Sequence, residues 1–154
     1  MPTQYDVIII GSGPAGIFAA LELVKNSGLA VLMIEKGSDI DRRSCPMAEA
    51  SVPCAQCDLC GILCGWGGAG AYSDGKLTLN PDVGGWLKEY IRPEELARLI
   101  EYVDAVYRTH GAGKDVHGRD QDAIARLKKK AAGYNLELIP AMIHAWYQGA
   151  DVVS

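Results

Sequence analysis

The chain has 154 residues, of which 49% are hydrophobic and 22% are charged, as in ordinary globular proteins. Its net charge of −4 gives no electrostatic basis for binding nucleic acid or an anionic membrane. No apolar run in the sequence reaches the length of a transmembrane helix, and the N-terminus enters a predicted strand directly, so we expect a cytoplasmic protein.

The first predicted unit comprises a strand, a glycine turn, a helix and a second strand, over residues 5–37. Residues 7–10 form a β-branched run without alternation, which predicts a parallel strand buried on both faces. The motif G-x-G-x-x-G follows at residues 11–16 and opens a helix that should end near Gly28. A second buried strand is expected over residues 29–34, directly before Glu35.

Each part of this motif has a physical role in binding a dinucleotide. Gly11 makes the tight turn, Gly13 lets the backbone approach a pyrophosphate, and Gly16 lets the helix pack closely on the strand. Pro14 suits the first helical turn, and the helix N-terminus attracts the phosphates. Glu35 is placed to accept hydrogen bonds from a ribose diol and repels a 2′-phosphate, which favours FAD or NAD over NADP.

Residues 44–75 differ in character from the rest of the chain. They hold all five cysteines and little periodicity, which predicts an ordered functional loop. Within it, the small residues of the glycine cluster at 65–76 permit close approach of a flat or phosphorylated ligand, and their amides can form an anion nest. Trp66 and Tyr72 argue against a flexible turn here.

The remaining predicted elements are helical with one short strand. A helix is expected over 93–108, with Pro93 in its first turn and an apolar stripe that packs in the core. A further helix is expected over 120–132 with Asp120 as its N-cap, and a short strand over 136–139.

Four cysteines have the spacing C-x₂-C-x₂-C-x₃-C of bacterial ferredoxins, except that Gly65 replaces the proline: Cys54, Cys57, Cys60 and Cys64. The fourth cysteine of such a run serves a second cluster, so Cys45 could supply a remote ligand. An iron–sulfur cluster is favoured over zinc, whose ligands usually form two separated pairs. A redox-active thiol pair and plain buried cysteines stay open as alternatives.

The sequence resembles a known group of flavoproteins. The fingerprint is similar to that of the glutathione-reductase-like FAD superfamily. Cys45-Pro46, the Cys54/Cys57/Cys60 run, GWGGAGAYSDGKL at 65–77 and GGWL at 84–87 resemble the uncharacterised FAD-dependent dehydrogenase family of bacteria and archaea. The resemblance implies an FAD-linked redox reaction with an unknown small-molecule substrate or electron carrier.

The resemblance also implies which residues bind the cofactor. The ADP half would be contacted by Gly11, Gly13, Ala15, Gly16, Glu35 and Lys36, and Ser12 and Pro14 of the same turn are also expected to bind the cofactor. The flavin or the pyrophosphate would lie nearer Gly67, Gly68, Ala69 and Gly70. As metal ligands, the resemblance supports Cys45, Cys54, Cys57 and Cys60 more than Cys64.

We therefore expect an α/β protein: a Rossmann-like FAD/NAD(P)-binding domain with an incomplete parallel sheet, a Cys/Gly-rich loop and an added helical segment. The expected divisions are a βαβ unit at 1–43, the cofactor loop at 44–85, a helical insertion with a return strand at 86–144, and an atypical tail at 145–154.

The tail departs from the resembling family, which has Leu-Gly-Thr at this place. When the codons for Ala-Trp-Tyr in the tail are shifted by one base, they can encode Leu-Gly-Thr. This predicts the N-terminal piece of a longer flavoprotein, ended by a frameshift or sequencing error and weakly active or inactive alone.

Two other functions stay open: an iron–sulfur or zinc redox module built on the cysteines, and an NAD-binding protein without flavin. The three histidines, His110, His117 and His144, have neither metal spacing nor a paired nucleophile. No catalytic acid or base is assigned, because a flavin supplies its own chemistry. Neither the substrate nor the oligomeric state follows from the sequence.

Overall fold

The computed structural model describes residues 4–72, 75–113 and 115–145. These residues fall into two compact units, one containing the described residues up to 72 and the other those from 75 onwards. Ser73 and Asp74 of the glycine cluster lie outside the described residues, as does the predicted tail apart from Ala145.

The first unit begins with a parallel strand–helix–strand unit. Strand β1 (Val7–Ile10) leads into helix α1 (Pro14–Asn26), which returns to strand β2 (Val31–Ile34). The two strands are parallel and in register from Val7 opposite Val31 to Ile10 opposite Ile34. This arrangement confirms the predicted α/β organisation with a small parallel sheet.

The burial of β1 differs from the sequence prediction. The β-branched run predicts burial on both faces, yet Ile8 is 58% exposed and Ile10 is 86% exposed. Val7 and Ile9 on the other face are half-buried, and Ile9 lies beside Gly16 of α1. The prediction that β1 is buried on both faces is therefore wrong, because among the described residues only the face toward α1 is covered.

The cysteine-rich part of the first unit is mostly irregular and contains short helical turns. A 3₁₀ turn at Ile40–Arg42 precedes the five-residue helix α2 (Pro46–Ala50), and a second 3₁₀ turn spans Gly68–Tyr72. Helix α2 begins after Cys45, whose amide donates to Oε1 of Glu49 at 3.0 Å. The described residues of this segment thus have little regular structure, and its role as a functional loop stays a prediction.

The second unit combines two helices with a small antiparallel sheet. Helices α3 (Pro93–Thr109) and α4 (Gln121–Ala132) confirm the two predicted later helices. Asp120 caps α4 as expected, its Oδ1 accepting from the amide of Ala123 at 2.9 Å. The sheet has the order β3 (Lys76–Thr78), β5 (Ile143–Ala145), β4 (Val116–His117).

The strand predicted over 136–139 is wrong. Residues Leu136 and Ile139 are 64% and 70% exposed and join no sheet, whereas β5 begins later, at Ile143. The amide of Leu136 instead closes the end of α4 on the carbonyl of Ala131 at 3.0 Å, with Asn135 in the left-handed region at φ 56°. This Schellman-type ending takes the backbone donor that a strand ladder would need.

Candidate nucleotide-binding site

The turn between β1 and α1 has the backbone that the glycine motif predicts. Gly11 has φ 98°, a conformation that favours glycine, and its amide donates to the carbonyl of Ile34 at 2.8 Å. A Cβ on Gly16 would clash with the carbonyl oxygen of Gly11 and lie 3.3 Å from Cγ2 of Ile9. These two glycines are therefore required by the protein's own packing.

Gly13 differs from both, because the protein itself does not require a glycine there. It has φ −69° and ψ 175°, and no described atom lies within 4 Å of the position that a Cβ would take. Gly13 is the N-cap of α1 and supplies no side chain to bond the first amides of the helix. Open space and available amides at a helix N-terminus are what an anion such as pyrophosphate needs.

The carboxylate of Glu35 is held at the end of β2 by four hydrogen bonds. Its Oε2 accepts from the amide and the hydroxyl of Ser12 at 2.8 and 3.1 Å. Its Oε1 accepts from the amides of Gly37 and Gly65 at 2.9 and 3.0 Å. The bonds from the Ser12 and Gly37 amides, aided by the Ser12 hydroxyl and Gly65, lower the pKa of Glu35 from 4.5 to about 2. Glu35 is therefore ionised at neutral pH.

The second glycine cluster lies directly against the glycine turn. The amide of Gly67 donates to the carbonyl of Ser12 at 3.0 Å. A Cβ on Gly68 would approach Cα of Gly13 to 2.9 Å, so only a residue without a side chain allows this contact. Two stretches more than fifty residues apart, both predicted to bind the cofactor, therefore meet at one place in the fold.

The other predicted cofactor residues are placed less closely. The position of a Gly70 Cβ would be 3.5 Å from Cγ of Pro14, so the 3₁₀ turn also reaches the first turn of α1. Ala15, Lys36 and Ala69 are exposed. Their roles in binding stay predictions.

The residue that sequence reasoning missed is Arg43. It is 7% exposed, and its guanidinium donates to four backbone carbonyls, those of Gly61, Ile62, Trp66 and Gly68, at 2.6 to 2.9 Å. In the sequence it is one of two adjacent arginines in a polar loop, and no local signal separates it from Arg42. Only the folded loop shows which of the two is buried.

The predicted metal ligands do not converge in the described structure. All five cysteines carry free thiols: Cys54 and Cys57 are exposed, and Cys45, Cys60 and Cys64 are half-buried. Within the described residues, no three cysteine, histidine or acidic side chains form a group that could hold a metal ion. The cysteines as folded therefore do not fit a cluster, and metal binding stays a prediction from their spacing.

The second unit contains none of the predicted cofactor residues. It has a cleft of about 480 Å³ along α3, lined partly by the ion pair of Arg108 Nε and Asp104 Oδ2 at 3.2 Å. Nδ1 of His110 lies 2.8 Å from the carbonyl oxygen of Val106, one turn earlier in the same helix.

No helix among the described residues is long and apolar enough to cross a membrane.

A family comparison agrees with the geometry of the first unit. Residues 5–56 match the family model described as pyridine nucleotide-disulphide oxidoreductase. The N-terminal region is therefore similar to this oxidoreductase family over these residues. The match includes β1, the glycine turn, α1, β2 and Glu35, and it ends before the second glycine cluster.

Individual relatives match over similarly short stretches. An uncharacterized protein of Clostridium beijerinckii is 43% identical over 72 residues, covering 46% of the chain and 13% of the relative. Digeranylgeranylglycerophospholipid reductase 1 of Methanococcoides burtonii is 50% identical over 40 residues, covering 26% of the chain and 10% of the relative. The mitochondrial electron transfer flavoprotein-ubiquinone oxidoreductase of Arabidopsis thaliana is 45% identical over 42 residues, covering 24% and 7%.

The chain thus spans only 7 to 13% of the lengths of these relatives. No solved structure gave a significant match to the chain. The predicted resemblance to flavin oxidoreductases is confirmed at the level of a pyridine nucleotide-disulphide oxidoreductase domain with a Rossmann-like fold.

Proposed function

We propose that this chain is the FAD-binding part of an FAD-dependent oxidoreductase, a dehydrogenase whose substrate or electron carrier is a small molecule. The observation that carries the proposal is the pairing of an open helix N-terminus at Gly13 with the ionised carboxylate of Glu35 at the end of the neighbouring strand. These two features suit the pyrophosphate and the adenosine ribose of a dinucleotide.

The residues of this chain would hold the two groups in different ways. The pyrophosphate would lie at the first turn of α1, where Gly13 leaves space and the amides of Ala15 and Gly16 precede the first residues with helical acceptors. The ribose diol would donate to Glu35. When bound, the flavin would supply the redox chemistry, and the protein would position it.

Ribose binding at Glu35 needs one of its present donors to move. A carboxylate accepts about four hydrogen bonds, and Glu35 already has four. The Ser12 hydroxyl makes the longest of them, at 3.1 Å, and has a second acceptor in the carbonyl of Gly65 at 3.4 Å. We therefore expect the hydroxyl to turn to Gly65 when the ribose binds.

The comparisons support the redox part of the proposal. The matched family is one of oxidoreductases, and the Arabidopsis thaliana relative is by name an electron transfer flavoprotein-ubiquinone oxidoreductase. The second glycine cluster adds support for FAD, because it brings further main-chain atoms to the turn that would bind the pyrophosphate.

The test is calorimetric titration with FAD, using Gly13→Val and the matched control Gly28→Val. Both glycines have no described atom within 4 Å of a Cβ position and neither has a positive φ, so the fold should accept valine equally at each. At Gly13, however, the methyl groups would meet the pyrophosphate. We expect the wild-type protein to bind FAD, Gly13→Val to bind at least about tenfold more weakly, and Gly28→Val to bind normally. Equal FAD affinity in all three proteins would contradict the assignment.

An NAD-binding protein without flavin is the second candidate, because an ionised Glu35 suits the ribose of either dinucleotide. Titration with NAD in the same experiment separates the two. Tighter binding of NAD than of FAD, with no flavin released from the purified protein, would favour this candidate.

A further inference from the structure

Arg43 is a buried cation whose hydrogen-bond acceptors are all backbone oxygens. Among the described residues, its guanidinium donates from Nε to Gly61, from Nη2 to Ile62, and from Nη1 to both Trp66 and Gly68. The planar guanidinium offers five N–H donors in a fixed fork, which lets one side chain gather carbonyls that no other residue type could reach together.

Tyr72 closes the same segment from its far end. Its hydroxyl donates to the carbonyl of Arg43 at 2.9 Å, and its ring centroid lies 5.0 Å from Cζ of the guanidinium. Residues 61–72 are therefore wrapped around Arg43, fixed by hydrogen bonds to the guanidinium and by a cation–π contact. A segment with little regular structure obtains a defined course in this way.

The residues held by Arg43 also contact the glycine turn. The carbonyl of Gly68 accepts a hydrogen bond from Nη1 of Arg43, and Gly68 packs against Gly13. The carbonyl of Trp66 also accepts from Nη1 of Arg43, and the amide of the next residue, Gly67, donates a hydrogen bond to the carbonyl of Ser12. One side of the segment is thus fixed to the guanidinium while the other side lies against the predicted pyrophosphate turn.

We propose that Arg43 is a positioning residue of the nucleotide site, one that holds the second glycine cluster against the Gly11–Gly13 turn. This inference rests on the proposed FAD-binding function. Arg43 itself need not touch the nucleotide: it acts through Gly65, Gly67 and Gly68, whose contacts with Glu35, Ser12 and Gly13 depend on the course of the segment.

Lysine should replace Arg43 poorly, although it keeps the charge. Its ammonium is a compact point charge with three donors and cannot span carbonyls spread over residues 61–68. A change to lysine therefore separates the geometry of the fork from the charge alone. Arg42 is the matched control, because it is the adjacent arginine, is exposed, and makes no side-chain hydrogen bond or ion pair with the described residues.

The experiment compares Arg43→Lys, Arg43→Ala, Arg42→Lys and Arg42→Ala with the wild type. FAD affinity is measured by titration, and hydrogen exchange of peptides from residues 61–72 is measured without nucleotide. We expect both Arg43 variants to bind FAD at least about tenfold more weakly than the wild type, because charge-assisted hydrogen bonds are lost. Their backbone amides should exchange faster than those of the wild type at residues 61–72, with a smaller change at β1 and α1. Both Arg42 variants should match the wild type.

Chemical rescue provides a readout that general destabilisation would not move. Ethylguanidinium at millimolar concentration should restore FAD binding and the bound-flavin absorption spectrum to Arg43→Ala, whereas ethylammonium should not. If the wild type fails to bind FAD, the proposed function fails and this inference fails with it. If the wild type binds and the Arg43 variants bind equally well, only the role of Arg43 is overturned. Unfolding of both Arg43 variants without rescue would assign Arg43 to global stability and also overturn the proposal.

Discussion

Ser12 and Glu35 are joined by two hydrogen bonds to the same oxygen: the amide and the hydroxyl of Ser12 donate to Oε2 of Glu35 at 2.8 and 3.1 Å. Ser12 is fully buried. The glycine turn after β1 is thereby tied to the end of β2 by a carboxylate. Glu35 thus stabilises the site as well as being placed to accept a ribose.

Replacing Glu35 with glutamine should destabilise the first unit. In either orientation of the glutamine amide, its N–H₂ would face at least one backbone N–H that now donates to Glu35, and buried donors left without acceptors cost about 1–3 kcal/mol. We expect the free energy of unfolding in urea to fall by that order. Glu22→Gln is the control, since Glu22 accepts from Asn26 on the exposed side of α1 and glutamine can still accept there. Equal unfolding curves for Glu35→Gln and the wild type would contradict this role.

The lowered pKa of Glu35 predicts how stability depends on pH. Because its pKa falls from 4.5 to about 2 on folding, its contribution is fully present above pH 4.5 and is lost as the pH falls toward 2. The wild type should therefore lose more stability than Glu35→Gln over this window. The measurement is urea unfolding of both proteins at neutral pH and at several values between pH 4.5 and pH 2. Parallel loss of stability in the two proteins would assign acid sensitivity to other groups.

Ser12→Ala tests which donor leaves Glu35 when a ribose binds. The variant keeps the hydrogen bond from the backbone N–H of residue 12 to Glu35 and removes only the one from the hydroxyl. One acceptor position on Glu35 is then left without its present donor. We expect ADP and FAD to bind at least as tightly as to the wild type, while stability falls by about 1 kcal/mol. A large loss of affinity, without loss of fold by circular dichroism, would show that the hydroxyl itself is needed for binding.

The predicted metal centre requires the cysteines to rearrange from their described positions. Cys54 and Cys57 are exposed, and no three potential ligands converge among the described residues. If the ferredoxin-like spacing has its predicted role, protein purified without oxygen contains iron or zinc, and Cys57→Ser loses it, because thiolate ligands act together. Metal analysis that finds neither element in the wild type would leave the cysteines as ordinary thiols.

The uncovered face of β1 predicts self-association. Ile8 and Ile10 are exposed, and their neighbour Ile34 on β2 is 47% exposed. Replacing Ile8 and Ile10 with threonine should reduce association in sedimentation experiments and change stability by less than about 0.5 kcal/mol. Ile9→Thr, on the face covered by α1, should instead cost about 1–3 kcal/mol. Unchanged sedimentation in the double variant would show that this face does not drive association.

Much of the first unit was predictable because its signals are local. The β-branched run, the glycine spacing and the acid at Glu35 each specify one element, and Asp120 and Pro93 likewise identify helix starts in the second unit. Such signals depend on the backbone conformation of a few consecutive residues, which the residue types at those positions largely determine.

The features that could not be predicted depend on distant partners. Arg43 is buried because carbonyls eighteen to twenty-five residues later surround it, and Arg42 is identical in kind. Residues 136–139 are apolar enough for a strand, but the end of α4 takes the amide of Leu136, and the sheet pairs with residues 143–145 instead. In both cases the deciding contact lies outside any local pattern.

Two contacts between the glycine-rich segments are made by main-chain atoms alone: Gly67 donates its amide to the carbonyl of Ser12, and Gly68 lies against Cα of Gly13. Truncating side chains cannot remove such a contact, because none of its atoms belongs to a side chain. An alanine scan across these residues would report steric intrusion by added methyl groups and would leave the bond itself untested. An amide-to-ester replacement at Gly67, made by protein semisynthesis, would delete the donor alone. Backbone chemistry therefore tests this hydrogen bond directly, whereas side-chain substitutions such as those at Arg43 reach it only through the course of the segment.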